Sequence, residues 1–468
     1  MAVQAVPGFD LQPSAEQVAL ASNYITNFDF LNQYLPDTYE KEFERYGNRT
    51  VASFLRLVGA EMPSNSDLIK WAEQGRLHTK YTSMTAGAGA AAATANNYTV
   101  NDANVTGIAL RAGQTVMLVN QAGNQSIKGL ITAVNNTGGT GVGDVTITYY
   151  EAGGQPWAAA TANITLFVYG SEFGKGTNGM VGSLEAEDVF FDNKPIIIKD
   201  KYAVSGSDMA QIGWVEISTE NGANGYLWYL KSEHETRLRF EDYLETAMLE
   251  AVPAGAGSAL LGTATTGSDG IFFVVENRGN VWGGGSPQTL GDFDSIIQRL
   301  DKQGAIEENV IFLNRQFGFD VDDMLAAQNS YGAGGTSYGL FDNDEEMALN
   351  LGFSGFRRGY DFYKTDWKYL NDPTMRGGID GAGVGINGLM VPAGSTSVYD
   401  QILGKNAKRP FLHVRYRASE TEDRRYKTWI TGSAGGARTS DLDAMEVNFL
   451  SERAVCTLGA NNFFIMKD

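Results

Sequence analysis

The sequence predicts an α+β chain with a long extended segment and one oversized helix. Three observations carry this. Short β-type runs crowd residues 86–170, apolar residues hold helical spacing from Leu227 to Ala251, and helical and strand-like runs alternate from 290 onward. Helices and strands mixed in this way indicate α+β architecture. At 468 residues the chain is long for one compact core and suggests roughly two to four units.

Composition excludes several classes. The balance of 36 basic against 55 acidic residues gives a formal net charge of −19. A nucleic-acid reader needs a basic surface, so that class is disfavoured. The charge favours solubility and can repel DNA. The 56 glycines are about 12% of the chain against a usual ~7%, so many turns are expected. The single cysteine, Cys456, excludes an intrachain disulfide. With only His78, His234 and His413 beside it, no zinc spacing exists. No Lys or Arg precedes Lys41, so no signal-peptide n-region is expected, and no apolar run is long enough to span a membrane. The sequons at Asn97, Asn104 and Asn163 read as Asn-rich turns.

Residues 1–50 hold Phe9, Tyr24, Phe28, Phe30, Tyr34, Tyr39, Phe43 and Tyr46 at spacings that fit neither a long helix nor a strand. Disordered tails are poor in aromatics. The segment reads as an arm that lies on other surfaces, its own or a neighbour's.

Within 86–170 only Asp102, Arg111, Lys128, Asp144 and Glu151 are charged. The runs "NNYTV", "QTVMLVN", "IKGLITAVN", "DVTITYY" and "ITLFVY" are separated by Gly/Asn-rich turns, as in a small sandwich or barrel. "AGAGAAAATA" leads in and "YGSEFGKGTNG" leads out. The latter sits in "FVYGSEFGKGTNGMVG", which imitates a phosphate-binding loop. Its spacing fails: only Ser171, Glu172 and Phe173 separate Gly170 from Gly174, and Gly176 follows Lys175. No helix is expected after it to hold an anion. The glycines read instead as a hinge where an inserted β-module returns to its host.

"DVFFDNKPIIIKDKYAVSGSD" (188–208) reads as extended, and Pro195 assigns it to a sheet edge or a two-stranded arm. In the following helix Leu227, Leu230, Leu244, Met248 and Ala251 form an apolar stripe, with His234 on it as a packed residue. Phe240 and Met248 are core candidates, and Pro253 ends the helix. A helix of this length exceeds what one small core can cover. "LGDFDSIIQRLDKQG" is a helix with Asp292 or Asp294 near its cap, and "RQFGFDVDDMLAAQN" is another. "NVIFLN", "GLMVPAG", "PFLHVRYRA", "KTWITG" and "AMEVNFLSERAVCTLG" are strands.

Candidate chemistry is thin. "GTSYG" around Ser337, with His413 later in the chain, matches a nucleophile elbow, but a Gly-rich stretch precedes it and an acidic one follows. "DNDEE" (342–346) spaces carboxylates like a calcium loop, yet Met347 and Phe353 stand where Gly and Glu are required. It reads as a solvated helix start. Residues 405–427 carry eight Lys or Arg against three acids. In so acidic a chain, Arg415, Arg417, Arg424 and Arg425 suit a protein contact with acids such as Asp342, Asp344, Glu345 and Glu346. The aromatics Phe28, Phe30, Tyr34 and Tyr39 are the other inter-subunit candidates. No catalytic, metal or cofactor residue is expected. Extended parts that cannot bury their own apolar residues point to an obligate assembly subunit.

The chain resembles a major capsid protein of a tailed bacteriophage with the Hong Kong 97 capsid fold. The resemblance lies in "DNKPIIIKDKYAVSGS" as the descending E-loop strand and "YLKSEHETRLRFEDYLETAML" as the spine helix. It extends to "LGDFDSIIQRL…NVIFLN…FDVDDML" as the opening of the axial domain and "EVNFLSERAVCTLGANNFFIM" as the closing strands. It covers residues 60–85 and 170–468. It implies an N-terminal arm (1–60), an E-loop region (61–222) with an inserted all-β domain (86–170), a spine helix with peripheral domain (223–300), an axial domain (301–440) and returning peripheral strands (441–468). It further implies no enzymatic activity and a virion location after assembly in the host cytoplasm. Hexamers and pentamers of an icosahedral shell would enclose DNA without reading its sequence. Portal, scaffolding and decoration proteins are the implied partners. The Lys–Asn pair of the family's cross-link has no counterpart that can be mapped here. Two other readings stay open: a β-rich tail-fibre or adhesin protein that binds glycans, and a serine hydrolase using Ser337.

Overall fold

The structure, a computed structural model, describes residues 60–88, 94–101, 108–135, 142–184, 188–210, 216–218, 224–226, 228–304, 306–328, 355–379, 383–400, 405–434, 436 and 438–468. It begins with β1 (Ala60–Ser64), β2 (Ile69–Gln74), β3 (Lys80–Ala86), β4 (Ala95–Asn101) and β5 (Gln114–Asn120). β6 (Gln125–Asn135), β7 (Val142–Tyr149), β8 (Ile164–Ser171), β9 (Asp188–Asn193) and β10 (Ile196–Ser205) follow. A short helix α1 (Gly206–Ala210) and the hairpin of β11 (Glu216–Ser218) and β12 (Asn224–Tyr226) lead to the long helix α2 (Trp228–Glu250). Next come α3 (Ile271–Arg278), β13 (Asn280–Trp282), α4 (Leu290–Gln303), β14 (Glu308–Leu313) and α5 (Arg315–Gln328). β15 (Gly355–Arg358), β16 (Tyr360–Asp366), α6 (Lys368–Asn371), β17 (Ile386–Pro392), β18 (Ser395–Asp400) and β19 (Lys405–Pro410) continue. β20 (Leu412–Arg417), β21 (Lys427–Gly432), β22 (Ala444–Thr457) and β23 (Phe464–Lys467) close the order. The chain divides into two compact units, the smaller made of residues 66–195 with 456–460.

In the smaller unit β2 and β9 pair antiparallel, from Ile69 opposite Asn193 to Gln74 opposite Asp188. Successive residues of a strand face opposite sides. One face of this ribbon carries Trp71 against Phe191, with ring centroids 6.5 Å apart. On it Glu73 accepts hydrogen bonds from the Trp71 indole and the Gly459 amide, both at 3.0 Å. The other face carries Phe190, 67% exposed.

Between the ribbon strands the chain closes a barrel in the order β3-β4-β7-β6-β5-β8. The inward residues Met84, Tyr98, Val116, Leu118, Ile131, Val145, Ile147, Ile164 and Leu166 are buried in one core with Trp157. Closure leaves no unpaired sheet edge. Its buried members all lie between Tyr81 and Leu166. One polar patch inside is satisfied: the Tyr98 and Tyr149 hydroxyls are 2.6 Å apart, and the Asn96 amide donates to Gln155 at 2.7 Å. The sequence places the module at 86–170, whereas the barrel begins one strand earlier, at Lys80. A register shift between Tyr81 and Met84 breaks the two-residue period of β3 and hides that strand in the sequence. The run starting at Ala86 therefore joins β3 to β4 rather than leading in.

Because Gln74 and Asp188 are cross-strand partners, a two-residue turn can join them. Replacing residues 75–187 by Asn-Gly is expected to leave the remainder folded, with a cooperative melt near that of the full chain. Global unfolding of this variant would assign the barrel to the main core.

In the larger unit a sheet runs β1-β20-β22-β10, with β21 also on β22. β10 is its outer strand and pairs with β22 from Ile196 opposite Arg453 to Ser205 opposite Ala444. Pro195 immediately precedes this edge strand, where a missing N–H costs no ladder bond. The second sheet runs β13-β23-β17-β14-β16-β15. Alternation splits its strands between two cores. Ile311, Leu313, Met390, Phe464 and Met466 pack with Phe293, Ile296 and Leu300 of α4 and Phe317 and Val321 of α5. Phe312, Leu389, Val391 and Ile465 face the opposite core with Ile271, Phe272 and Val275 of α3.

α2 serves two cores. Phe240 and Leu244 pack with Val204, Met445, Val447 and Phe449, while Met248 and Leu249 join the core around α3. The expectation of a packed His234 fails: His234 is exposed and Thr236 is buried. Two residues turn a helix by about 200°, so the two cannot share a face. α4 starts at a capping box: the Thr289 hydroxyl accepts from the Asp292 amide at 3.2 Å, and the Asp292 carboxylate accepts from the Thr289 amide at 3.0 Å. Gly304, at φ +74°, ends it.

Candidate assembly surfaces

Phe28, Phe30, Tyr34, Tyr39, Asp342, Asp344, Glu345, Glu346 and Ser337 lie outside the described residues. The four arginines are described, and β1, β20 and β22 gather them. β1 runs parallel to β20 and places Glu61 opposite Val414 and Ser64 opposite Arg417. Buried Glu452 on β22 takes both Arg417, Nε to Oε1 at 3.0 Å, and Arg424, Nε to Oε2 at 2.8 Å. The first contact is a hydrogen bond; the second is a charge contact without hydrogen-bond alignment. Arg417 also donates to the Asn65 carbonyl at 2.9 Å. Arg425 pairs with Glu61 and stands over the Tyr416 ring at 5.7 Å, yet its side chain stays 54% exposed. Arg453, buried, reaches Glu61 at 3.5 Å, Ser451 at 2.9 Å and the Arg425 carbonyl at 3.0 Å. Arg415 approaches the Met62 sulfur at 3.9 Å. Glu61, Glu452 and Arg453 were not singled out by the sequence. Only the register of β1 on β20 brings Glu61 here from some 350 residues away.

His413, the base a hydrolase reading would need, is buried on β20, with Nδ1 3.2 Å from the Pro410 carbonyl. Burial, aided by the nearby Arg415 and Arg409, lowers its pKa to about 4. It is neutral at pH 7 in the folded chain and titrates near 6.5 when unfolded. The unfolded chain therefore binds the extra proton between pH 6.5 and 4, and stability falls as pH falls through that window. The expected loss is about 3 kcal/mol. His413→Gln is expected to flatten this part of the melting-temperature profile relative to the native chain. Parallel profiles would show that His413 does not titrate there.

Among the described residues, exposed apolar side chains include groups at the ribbon and in the loop after α2. Leu77, Val181 and Leu184 are exposed in the two connections between ribbon and barrel, and Phe190 is exposed on the ribbon itself. Leu260 and Leu261 are exposed in the loop after α2, whose neck is pinned by bonds from Ala254 to Thr266 and from Gly270 to Ala251, both 2.8 Å. The strap 172–184 is held at its ends: Phe173 packs on Gly113, where a Cβ would lie 2.5 Å from the ring, and Arg111 donates to the Gly182 carbonyl at 2.8 Å. The Thr177 hydroxyl bonds back to the Gly174 carbonyl at 2.7 Å, and the next element is a strand, so no helix terminus completes a phosphate site.

Among the described residues no group of His, Cys, Asp and Glu is placed to hold a metal ion. No described helix is long and apolar enough to cross a membrane. No protein-family model matches the chain, and no curated protein sequence matches it. Among solved structures, a chain from Microbacterium phage Oxtober96 aligns at 10% identity and TM-score 0.40, covering 92% of this chain and 95% of that one. A chain from the capsid of a native GTA particle aligns at 8% identity and TM-score 0.39, covering 93% and 96%. A chain from the mature capsid of bacteriophage PhiM1 aligns at 9% identity and TM-score 0.35, covering 64% and 78%.

Proposed function

We propose that this chain is the shell-forming subunit of a tailed bacteriophage, a major capsid protein of the Hong Kong 97 type. Copies assemble into hexamers and pentamers of an icosahedral shell that encloses DNA. The observation that carries the reading is the ribbon of β2 and β9. A two-stranded ribbon is at best marginally stable by itself. This one exposes Phe190, with Leu77 and Val181 in the connections beyond it. Such a part needs a neighbour. The order of elements supports the same reading: a rising strand, a descending strand that continues as β10, a 23-residue helix, a mixed sheet, and the last strands returning. The ribbon then corresponds to the E-loop and α2 to the spine helix. The N-terminal arm, with Phe28, Phe30, Tyr34 and Tyr39, reaches adjacent subunits. Arg425, on the Glu61 face of the sheet, and Arg415, on the Met62 face, meet acids such as 342–346 of other copies, while Arg417 and Arg424 hold Glu452 within the subunit. Many modest contacts close the lattice, so avidity supplies its strength. The acidic excess gives an inner wall that does not hold DNA tightly. Scaffolding, portal and decoration proteins are partners in this reading, and assembly takes place in the host cytoplasm.

Purified protein is expected to form rings or shells in negative-stain images and by light scattering at micromolar concentration. Phe190→Asp and Arg425→Ala should each abolish or weaken assembly with at most a small shift in melting temperature. Phe190 is exposed, so its substitution stays within about 0.5 kcal/mol, and the half-exposed Arg425–Glu61 pair is worth less than about 1 kcal/mol. A monodisperse monomer, with scaffold present, would sink the proposal.

A further inference from the structure

The barrel carries a second surface that shell assembly does not explain. On its outer side β6, β5 and β8 align three cross-strand rows. Ser126, Val119 and Thr165 form the first, Lys128, Met117 and Phe167 the second, and Leu130 with Thr115 opposite Gly170 the third. β8 is bulged here: Val168 pairs with Val116 and Gly170 with Thr115, which leaves Tyr169 as the extra residue. Bulges of this kind re-aim a side chain and are frequent beside functional sites. Tyr169 is half exposed and meets Phe167 edge-on at 6.4 Å between centroids. The Lys128 ammonium stands 5.8 Å from the Tyr169 ring centroid. Beside them the exposed Tyr150 hydroxyl donates to Glu172 at 2.5 Å. Burial and Glu172 raise the Tyr150 pKa to about 12, with Tyr169 contributing, so this phenol keeps its proton at neutral pH.

We propose that this face binds a neutral oligosaccharide. Tyr169 and Phe167 offer ring faces to the C–H faces of sugar rings. Lys128, Glu172 and the Tyr150 hydroxyl supply donors and acceptors to sugar hydroxyls, and Ser126 and Thr165 extend that polar rim. The charges favour a neutral ligand: Lys128 and Glu172 offset one another, and a chain of net charge −19 repels polyanions, nucleic acid included. The small size of the cluster favours a sugar over a protein, because a stable protein contact buries about 800 Å² on each side. Stable aromatic orientation without a partner also fits, since the bulge and the Lys128 contact hold the ring in place before any ligand arrives. The inference is independent of shell formation and is measured on soluble full-length chain.

The experiment titrates full-length protein with maltohexaose, cellohexaose and chitohexaose, read by calorimetry and saturation-transfer NMR. At least one is expected to bind with a Kd near or below about 1 mM. Tyr169→Ala should weaken binding about tenfold, equivalent to about 1.4 kcal/mol, with the melting temperature unchanged. Tyr169→Trp should retain binding, which a purely structural role would not require. Absence of binding by all three sugars at about 10 mM, well above the Kd of a weak site, overturns the proposal. So does concentration-dependent self-association of the chain that Tyr169→Ala removes, since that assigns the face to a second copy.

Discussion

Leu244→Asp is expected to remove the chain from the soluble folded fraction. Leu244 is buried on α2 among Phe240, Val204, Met445, Val447 and Phe449. Losing a buried leucine costs about 2–5 kcal/mol. A carboxylate in its place adds a desolvation penalty of several kcal/mol unless it stays protonated. Together these approach the whole stability of a typical domain, about 5–15 kcal/mol. The neighbouring Tyr243 is exposed, so Tyr243→Asp should change the melting temperature little. Circular dichroism melts of both variants decide it. A native-like melt for Leu244→Asp would show that this face of α2 looks at solvent and that its register is misread.

What the sequence revealed follows the physics of periodicity. The apolar run "NVIFLN" is β14, and "AMEVNFLSERAVCTLG", with short apolar runs between polar residues, is β22. The helices over 290–303 and 315–328 are equally plain, because their stripes recur at 3.6 residues. The finer errors have local causes. His234 looked like part of a stripe, but the stripe drifts along α2 and runs through Thr236 instead. The aspartate expected near the cap of α4 is Asp292, which closes the capping box with the N-cap residue Thr289. Strand β3 escaped notice because a register shift interrupts its alternation. The barrel's closure was invisible for another reason: alternation tells which face a residue takes and not which strands pair. The arginine cluster was legible only as a basic run. Its acids, Glu61 and Glu452, come from strands at opposite ends of the chain, and no local pattern announces such partners.

Glu452→Ala is the second large expected effect. Glu452 is buried and takes two guanidiniums at once, Arg417 and Arg424. Removing the acid leaves two cations facing each other with their shared counter-charge gone. Breaking a buried pair in this way costs about 3–5 kcal/mol. The low end applies here, about 3 kcal/mol, because Arg417 and Arg424 keep 25% and 28% of their side-chain surface in water. The β20–β22 region should loosen first, since Arg424 also links to both strands through its backbone: its amide donates to the Arg417 carbonyl and its carbonyl accepts from the Glu452 amide, both at 3.0 Å. Replacing all three residues tests the cause. Adding Arg417→Met and Arg424→Met to Glu452→Ala removes the stranded charges and should restore much of the lost stability, because apolar replacement of a buried ionic group is often neutral or better. If the triple variant melts no higher than Glu452→Ala alone, the loss comes from packing at position 452 and not from unpaired charge. Arg425→Ala supplies the contrast. Its more exposed pair with Glu61 should contribute less than about 1 kcal/mol to the fold, so any larger effect of that substitution must appear in assembly.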